Sequence, residues 1–413
     1  MEPQPQSEHT SPNAWAAAAV VLCGVCAFLE LYCTQPLLPL LTKLFHASKT
    51  GAGMTVSAAT LGVALSAPVF GALTERLPRK RVIVWSMIGV SVPTLLAATS
   101  TSLGQLIFWR FLEGVTLPGI FAVVVTYIGE EWPADRIALI MGFYVSGTAL
   151  GGFTGRILAG VLAERFSWRV SFVVLGAASL AGAAAVAAWL PHGRRRPIAA
   201  ASGARRLDAF KRQVRELFAN RRLVATFAVG CSVLFSLVGV FTWITFYLSA
   251  APFRLSITAL SSLFLVYLVG LVVTPIAGHL ITRVGLRAGI GAAIVCSIIG
   301  VLLTLSHSLA VVIVGLTLLS SGVFVAQTAS QSHLRVAAPP HSRVTAAGLY
   351  LTFYYLGGTA AGVVPGAFWA LGKWPACVAF IVAVQALALA VALIGWRTPA
   401  ASHTPAISPS EKR

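Results

Sequence analysis

Charge is scarce in this chain, and acidic charge scarcest of all. Only 10% of its 413 residues are charged, 12 Asp and Glu against 30 Lys and Arg, where a soluble protein carries about 25%. Water is therefore not the main solvent of the folded surface. Cysteine is also sparse: Cys23, Cys26, Cys33, Cys231, Cys296 and Cys377 all fall in or beside apolar runs, so no disulfide framework follows. Cys23 and Cys26 spell C-x-x-C inside an apolar helix, without the strand context of a redox site. The chain has no H-E-x-x-H, no G-x-S-x-G and no carboxylate cluster within its apolar runs, which argues against a membrane-embedded enzyme, and neither metal nor cofactor is expected. No Lys or Arg precedes the first apolar run, unlike a cleaved leader.

What the chain has in abundance is apolar length. Runs long enough to cross a bilayer of about 30 Å recur along it. They predict twelve spans at about 15–42, 51–73, 82–100, 104–128, 136–163, 169–190, 223–250, 256–282, 288–306, 309–334, 343–370 and 375–396. The expected organisation is a tail (1–14), a six-helix bundle (15–190), a basic linker (191–222), a second six-helix bundle (223–396) and a second tail (397–413). With both termini cytoplasmic, Lys43, Lys49, Arg165, Arg169, Arg254 and Lys373 fall outside and Arg110 and Arg156 within spans. The remaining Lys and Arg lie on the cytoplasmic side, as the positive-inside rule requires. A net charge of +18 spread over short loops is a topology signal and does not indicate nucleic-acid binding. The stretch 208–218 reads either as an amphipathic helix on an anionic leaflet or as a solvated linker.

A repeat runs through the chain at an offset of 207 residues: Gly71, Leu73 and Arg76 match Gly278, Leu280 and Arg283, and Arg136, Gly151 and Gly155 match Arg343, Gly358 and Gly362. Two parallel halves around a shared cavity are an architecture of transporters that alternate access.

The loop Gly71-Ala-Leu-Thr-Glu75-Arg76-Leu-Pro-Arg79-Lys80-Arg81 resembles the cytoplasmic signature of the major facilitator superfamily, usually written G-x-L-x-D-R-x-G-R-K. Glu75 stands for the usual Asp and Pro78 for the usual Gly, and Pro forbids the positive φ that Gly allows. Arg110-Phe-Leu-Glu113-Gly114 resembles a second superfamily motif, R-x-x-Q-G, and Gly147 through Gly160 resembles the glycine-rich fifth helix of the antiporters, without its usual Pro. Tyr32-Cys-Thr-Gln-Pro, Tyr144-Val-Ser-Gly, Phe166-Ser-Trp-Arg and Gly348 through Gly358 resemble the YnfM-type bacterial branch of drug-exporter-like proteins. The resemblance implies an all-α membrane protein of twelve helices in two pseudo-symmetric bundles. It also implies proton-coupled efflux, by antiport at the cell inner membrane, of small amphipathic or cationic compounds of the acriflavine class. The alternative is a proton-coupled transporter of a sugar or organic anion, with Arg110 and Arg156 as anion ligands. A monomer is expected, whose partners are a small-molecule substrate, protons and membrane lipid.

The candidate residues sort by role. Gly71, Glu75, Arg76, Arg79, Lys80, Gly278 and Arg283 are expected to form a cytoplasmic gate or a plain cytoplasmic anchor. Gly147, Gly151, Gly155, Gly358 and Gly362 would let helix backbones touch, with or without a bearing on transport direction. Arg110 and Glu113, at i and i+3, share a helix face. At 1.5 Å per residue, Arg110, Glu113 and Arg156 should lie roughly 9–15 Å below the outer surface and Glu30 roughly 15–20 Å below it. The four could meet, either to carry a proton on Glu30 or Glu113 or to hold helices together. Tyr32, Gln35, Phe121, Tyr127, Tyr144, Trp243, Tyr247, Tyr267, Gln327, Gln331, Tyr350, Tyr354 and Tyr355 are substrate-surface candidates, or packing residues. His333 and His341, flanking the tenth-to-eleventh loop, are expected to be solvated.

Overall fold

Backbone polar groups in a hydrocarbon layer have to be satisfied within the segment itself, so an apolar chain of this length folds as helices. The computed structural model describes residues 14–73, 77–191 and 203–396, and every regular element among them is helical. Nine helices among these residues are each long and apolar enough to cross a membrane. The other spans are built from shorter pieces. The first is Ala14–Leu29, a turn, Gln35–Leu37 and Leu38–Leu44; the eighth is Ile257–Ser262, a 3-10 stretch Leu263–Leu268 and Val269–Val284. The eleventh begins as Arg343–Val363 and continues into the helix Pro365–Gly395. That helix is interrupted at Gly372 (φ −154°) and Lys373 (φ 53°), which separate the eleventh span from the twelfth.

The remaining spans are Lys49–Leu73 (second), Arg79–Ala97 (third), Leu103–Thr116 with Pro118–Glu131 (fourth), Ala134–Arg165 (fifth) and Trp168–Trp189 (sixth). In the other half they are Arg221–Leu248 (seventh), Leu286–Leu303 (ninth) and Leu309–Ala337 (tenth). Pro118 lacks the N–H that would continue the fourth span through Leu117, which explains its division. Gly285, at φ +86°, closes the eighth span in a conformation that other residues avoid. An even number of spans puts residues 14, 191, 203 and 396 on one side of the bundle, the linker side.

Small residues set the distance between helices. A Cβ on Gly147, Gly151 or Gly155 of the fifth span would collide with the carbonyl oxygens of Val21, Val25 and Leu29 on the first, so these two helices touch backbone to backbone. Gly357 plays the same part against Cys231 on the seventh span, while Gly358 packs on Leu234 and Gly362 crosses to Gly53 and Ser57 of the second.

The halves meet on the side away from the linker. Among the described residues four hydrogen bonds join them there: Gln35 Nε2 to Thr242 Oγ1 (3.1 Å), Ser57 Oγ to the Thr359 carbonyl (2.6 Å), Thr359 Oγ1 to Thr60 Oγ1 (3.2 Å) and Thr258 N–H to Glu164 Oε2 (2.5 Å).

On the linker side, Gly203–Ala219 is a helix docked on the second half. Leu217 is buried, Phe218 packs edge-on to Phe227 and Phe353, Gln213 accepts from Thr345 Oγ1 at 2.7 Å, and Glu216 pairs with His341 at 3.0 Å. His333 departs from the solvated position expected of it. It lies on the inner face of the tenth span, bonded to Thr226 Oγ1 at 2.8 Å and stacked flat on Trp396.

Candidate functional site

The first span stops being helical at Leu29, and residues 30–34 turn before the chain resumes. In that turn the Glu30 carbonyl accepts from the Cys33 N–H at 3.1 Å, and Arg110 of the fourth span donates to it and to the Leu31 carbonyl as well. Its Nη1 donates to the Glu30 carbonyl at 2.9 Å and its Nη2 to that of Leu31 at 2.5 Å, while Nε reaches the Thr55 carbonyl of the second span at 3.2 Å. Nη1 also pairs with Glu113 Oε2 one turn along its own helix. The other oxygen of Glu113 accepts from Thr94 Oγ1 of the third span at 2.8 Å. Arg110 and Glu113 are completely buried. An ion pair survives burial only when its remaining donors and acceptors are satisfied, and here they are.

Glu30 is different. It is as buried as its neighbours, yet among the described residues neither carboxyl oxygen accepts a well-formed hydrogen bond, although its carbonyl is clamped by Arg110. The carboxyl lies near Glu113 and faces the Ser179 hydroxyl of the sixth span. No Lys or Arg forms an ion pair with Glu30 among the described residues.

Arg156 of the fifth span stands apart from that cluster. Its Nε donates to Gln35 Oε1 at 2.9 Å and its Nη1 to the Gly152 carbonyl at 2.5 Å. Its guanidinium carbon lies 4.8 Å from the ring centres of Tyr32, Phe264 and Tyr267. No carboxylate pairs with it among the described residues. Tyr32 belongs to the first half and Phe264 and Tyr267 to the second, so the cage straddles the interface. Tyr267 is one of the aromatic candidates of the sequence, whereas Phe264 is not, because its 3-10 stretch carries no motif.

The other aromatic candidates divide. Tyr350 stacks on Tyr354, Tyr354 meets the edge of Tyr355, and Tyr355 stacks on Phe121 across the interface at 5.9 Å. Tyr144 is buried inside the first half with its hydroxyl towards the Phe121 carbonyl. Trp243, bonded to the Ala361 carbonyl, and Tyr247, stacked on Trp374, belong to the packing of the second half and do not reach the Arg156 cage. Gln327 is half-buried on the tenth span.

Glu75 and Arg76 of the loop signature lie outside the described residues. Gly71 lies in the last turn of the second span and Gly278 within the eighth; Lys80 lies in the first turn of the third, and Arg283 is exposed near the end of the eighth. Arg79 makes a two-pronged pair with Glu130 at the end of the fourth span, Nε to Oε2 at 3.2 Å and Nη2 to Oε1 at 3.1 Å. Glu130, a partner that no motif singles out, ties the loop to its own half.

Comparison with known proteins gives these features a setting. The family model described as Major Facilitator Superfamily matches residues 20–362. An uncharacterized transporter of Buchnera aphidicola subsp. Schizaphis graminum is 32% identical over 91% of this chain and 90% of its own. The inner membrane transport protein YnfM of Escherichia coli (strain K12) is 32% identical over 90% of this chain and 88% of its own. Among solved structures, a bacterial homolog of the human lysosomal transporter Spinster, inward-facing and unoccupied, superposes with a TM-score of 0.75 over 94% of this chain and 99% of its own, at 17% identity.

Proposed function

We propose, from the premise that this chain belongs to the Major Facilitator Superfamily and is a secondary transporter of a small molecule rather than an enzyme, that it exports amphipathic compounds in exchange for protons carried on Glu30. The observation that carries the reading is the Glu30 carboxyl, fully buried with neither oxygen accepting a well-formed hydrogen bond among the described residues. An ionised carboxylate in such a place costs several kcal/mol, and a proton removes that cost. The carboxyl hangs from a non-helical turn whose carbonyls are held by Arg110. A change of access that moves this turn changes what Glu30 faces, which is the coupling an exchanger needs. Glu113, already paired with Arg110 and Thr94, is the structural member of the cluster in this reading.

Export rests on the fifth span. Gly147, Gly151 and Gly155 seat it on the first span beside the Glu30 turn. Movement of the fifth span is thereby transmitted to the proton site. The far side, where the halves are bonded together, is the outer side in this reading, with both termini cytoplasmic by the distribution of Lys and Arg. The loop residues Gly71, Glu75, Arg76, Arg79 and Lys80, with Gly278 and Arg283, are the cytoplasmic gate. The protein works as a monomer in the cell inner membrane, surrounded by lipid, with no cofactor.

The test uses membrane vesicles with an imposed pH gradient. Glu30→Gln is expected to abolish gradient-driven movement of a substrate while leaving exchange of labelled for unlabelled substrate intact. Gradient-driven movement at the wild-type rate in Glu30→Gln would remove Glu30 from the mechanism.

A second reading concerns the solute's charge. The resemblance points to cations, whereas the Arg156 cage favours the organic-anion alternative. Glu30 and Glu113 are turned towards Ser179 and Thr94 on the sixth and third spans, which pack against the first, fourth and fifth.

A further inference from the structure

We propose that the transported compound carries an anionic group and that Arg156 binds it, with the surrounding rings taking the apolar body; this rests on the transporter reading above and names its substrate class. The first ground is an unbalanced charge. Arg156 is 3% exposed and has no carboxylate partner among the described residues. Its Nη2 has no acceptor there either, while Nε and Nη1 are satisfied by Gln35 and Gly152. Arg110 offers no such vacancy: all three of its nitrogens are committed to carbonyls or to Glu113. Of the two arginines within the spans, only Arg156 has a donor to give.

The second ground lies in the distribution of acid. No Asp or Glu occurs between Leu217 and Ser410, so the whole second bundle offers a cation nothing to pair with. In the first bundle Glu113 is held by Arg110, Glu130 by Arg79 and Glu164 by the Thr258 N–H, and Glu30 is fully buried beside Glu113 and Ser179 within that bundle. A cationic solute entering between the halves would meet a cation, and an anionic solute would meet its counter-ion.

The third ground is position. Tyr32 comes from one half and Phe264 and Tyr267 from the other, so a ligand on Arg156 is held by both moving bodies. Gln35 links the site to the closure. Its Oε1 accepts from Arg156 and its Nε2 donates to Thr242 across the interface. A carboxylate or sulfonate is a stronger acceptor for guanidinium than an amide oxygen. Its arrival displaces Gln35 from Arg156 and loosens the bond to Thr242, so that binding favours opening of the far side.

The experiment titrates purified full-length protein with naphthalene-sulfonate and with naphthyl-trimethylammonium, the same ring with opposite charge, by calorimetry. Saturable binding of the sulfonate to wild type is expected, weakened by about tenfold or more in Arg156→Gln and partly restored in Arg156→Lys, which keeps the charge without the fork. Tyr267→Leu, which removes a ring and leaves the cation, is expected to weaken the sulfonate without creating affinity for the ammonium. Absence of saturable sulfonate binding to wild type overturns the proposal. So does binding that survives Arg156→Gln, or preference for the ammonium. If wild type binds the sulfonate but shows no proton-driven transport of it, proton coupling falls and the anion site stands.

Discussion

Gln35 and Thr242 occupy the same place in the two repeats, 207 residues apart, and they bond to each other at 3.1 Å. Two residues related by the pseudo-twofold axis can touch only beside that axis. The bond therefore lies beside the axis that relates the halves. Arg156, hung on Gln35 at 2.9 Å, sits next to it.

Removing that bond is expected to favour the state open on the far side. Interhelical side-chain bonds in membranes contribute about 0.6 kcal/mol on average, so Gln35→Ala should shift the populations about threefold. Spin labels at Lys49 and Leu371, on the far ends of the second and eleventh spans, would report it as an increased long-distance fraction. An unchanged distance distribution would show that the bond carries no part of the closure.

The glycine contacts predict a contrast in folding. Gly155→Ala places a methyl against the Leu29 carbonyl, whereas Gly142→Ala, on the same helix, meets nothing within 4 Å. Overpacking typically costs about 1–3 kcal/mol, so Gly155→Ala should lower the melting temperature and the yield of monodisperse protein. Gly142→Ala should match wild type. Equal behaviour of the two would contradict the backbone-to-backbone contact of spans one and five.

The two buried acids should respond in opposite ways to the same conservative change. Glu113→Gln leaves Arg110 buried without its counter-charge, a loss of about 3–5 kcal/mol for such pairs. Glu30→Gln replaces an unpaired acid by a neutral group of the same shape and should leave thermal stability near wild type. Melting curves in detergent distinguish them. A destabilised Glu30→Gln beside a stable Glu113→Gln would make Glu30 the structural acid and Glu113 the titrating one.

The pair Arg79–Glu130 is about one-fifth to one-quarter exposed on each side. Screened pairs of that kind contribute about 0–1 kcal/mol. A double-mutant cycle on stability is expected to give a coupling in that range, and a larger effect of Arg79→Ala on transport than on melting would place the pair in the gate.

The fold was legible because lipid imposes a simple rule: long apolar runs become helices, and the repeat at 207 residues fixes how two groups of six are related. The pairing of Arg110 with Glu113 was legible from their spacing on one helix. The surroundings of Arg156 were not. Depth along a helix says how far a charge lies from the surface and nothing about which neighbour it faces, so four charges at similar depth resolved into an acid cluster and a separate cation. The rings around that cation come from two distant segments: Tyr32 and Tyr267 were legible only as two aromatics among many, and Phe264 lies in a 3-10 stretch whose sequence looks like any other apolar run. The absence of acid between Leu217 and Ser410 was the available signal that a cation at the interface would lack a partner. His333 eluded the sequence for a related reason. It sits close to a loop, but its helix turns it inward onto Trp396.

The most direct test of Glu30 as proton carrier is infrared difference spectroscopy on reconstituted protein, stepping the pH in wild type, Glu30→Gln and Glu113→Gln. A protonated-carboxyl band from a buried acid should appear in wild type, persist in Glu113→Gln and vanish in Glu30→Gln. A band that survives Glu30→Gln and vanishes with Glu113 would contradict it and give the proton to the acid paired with Arg110.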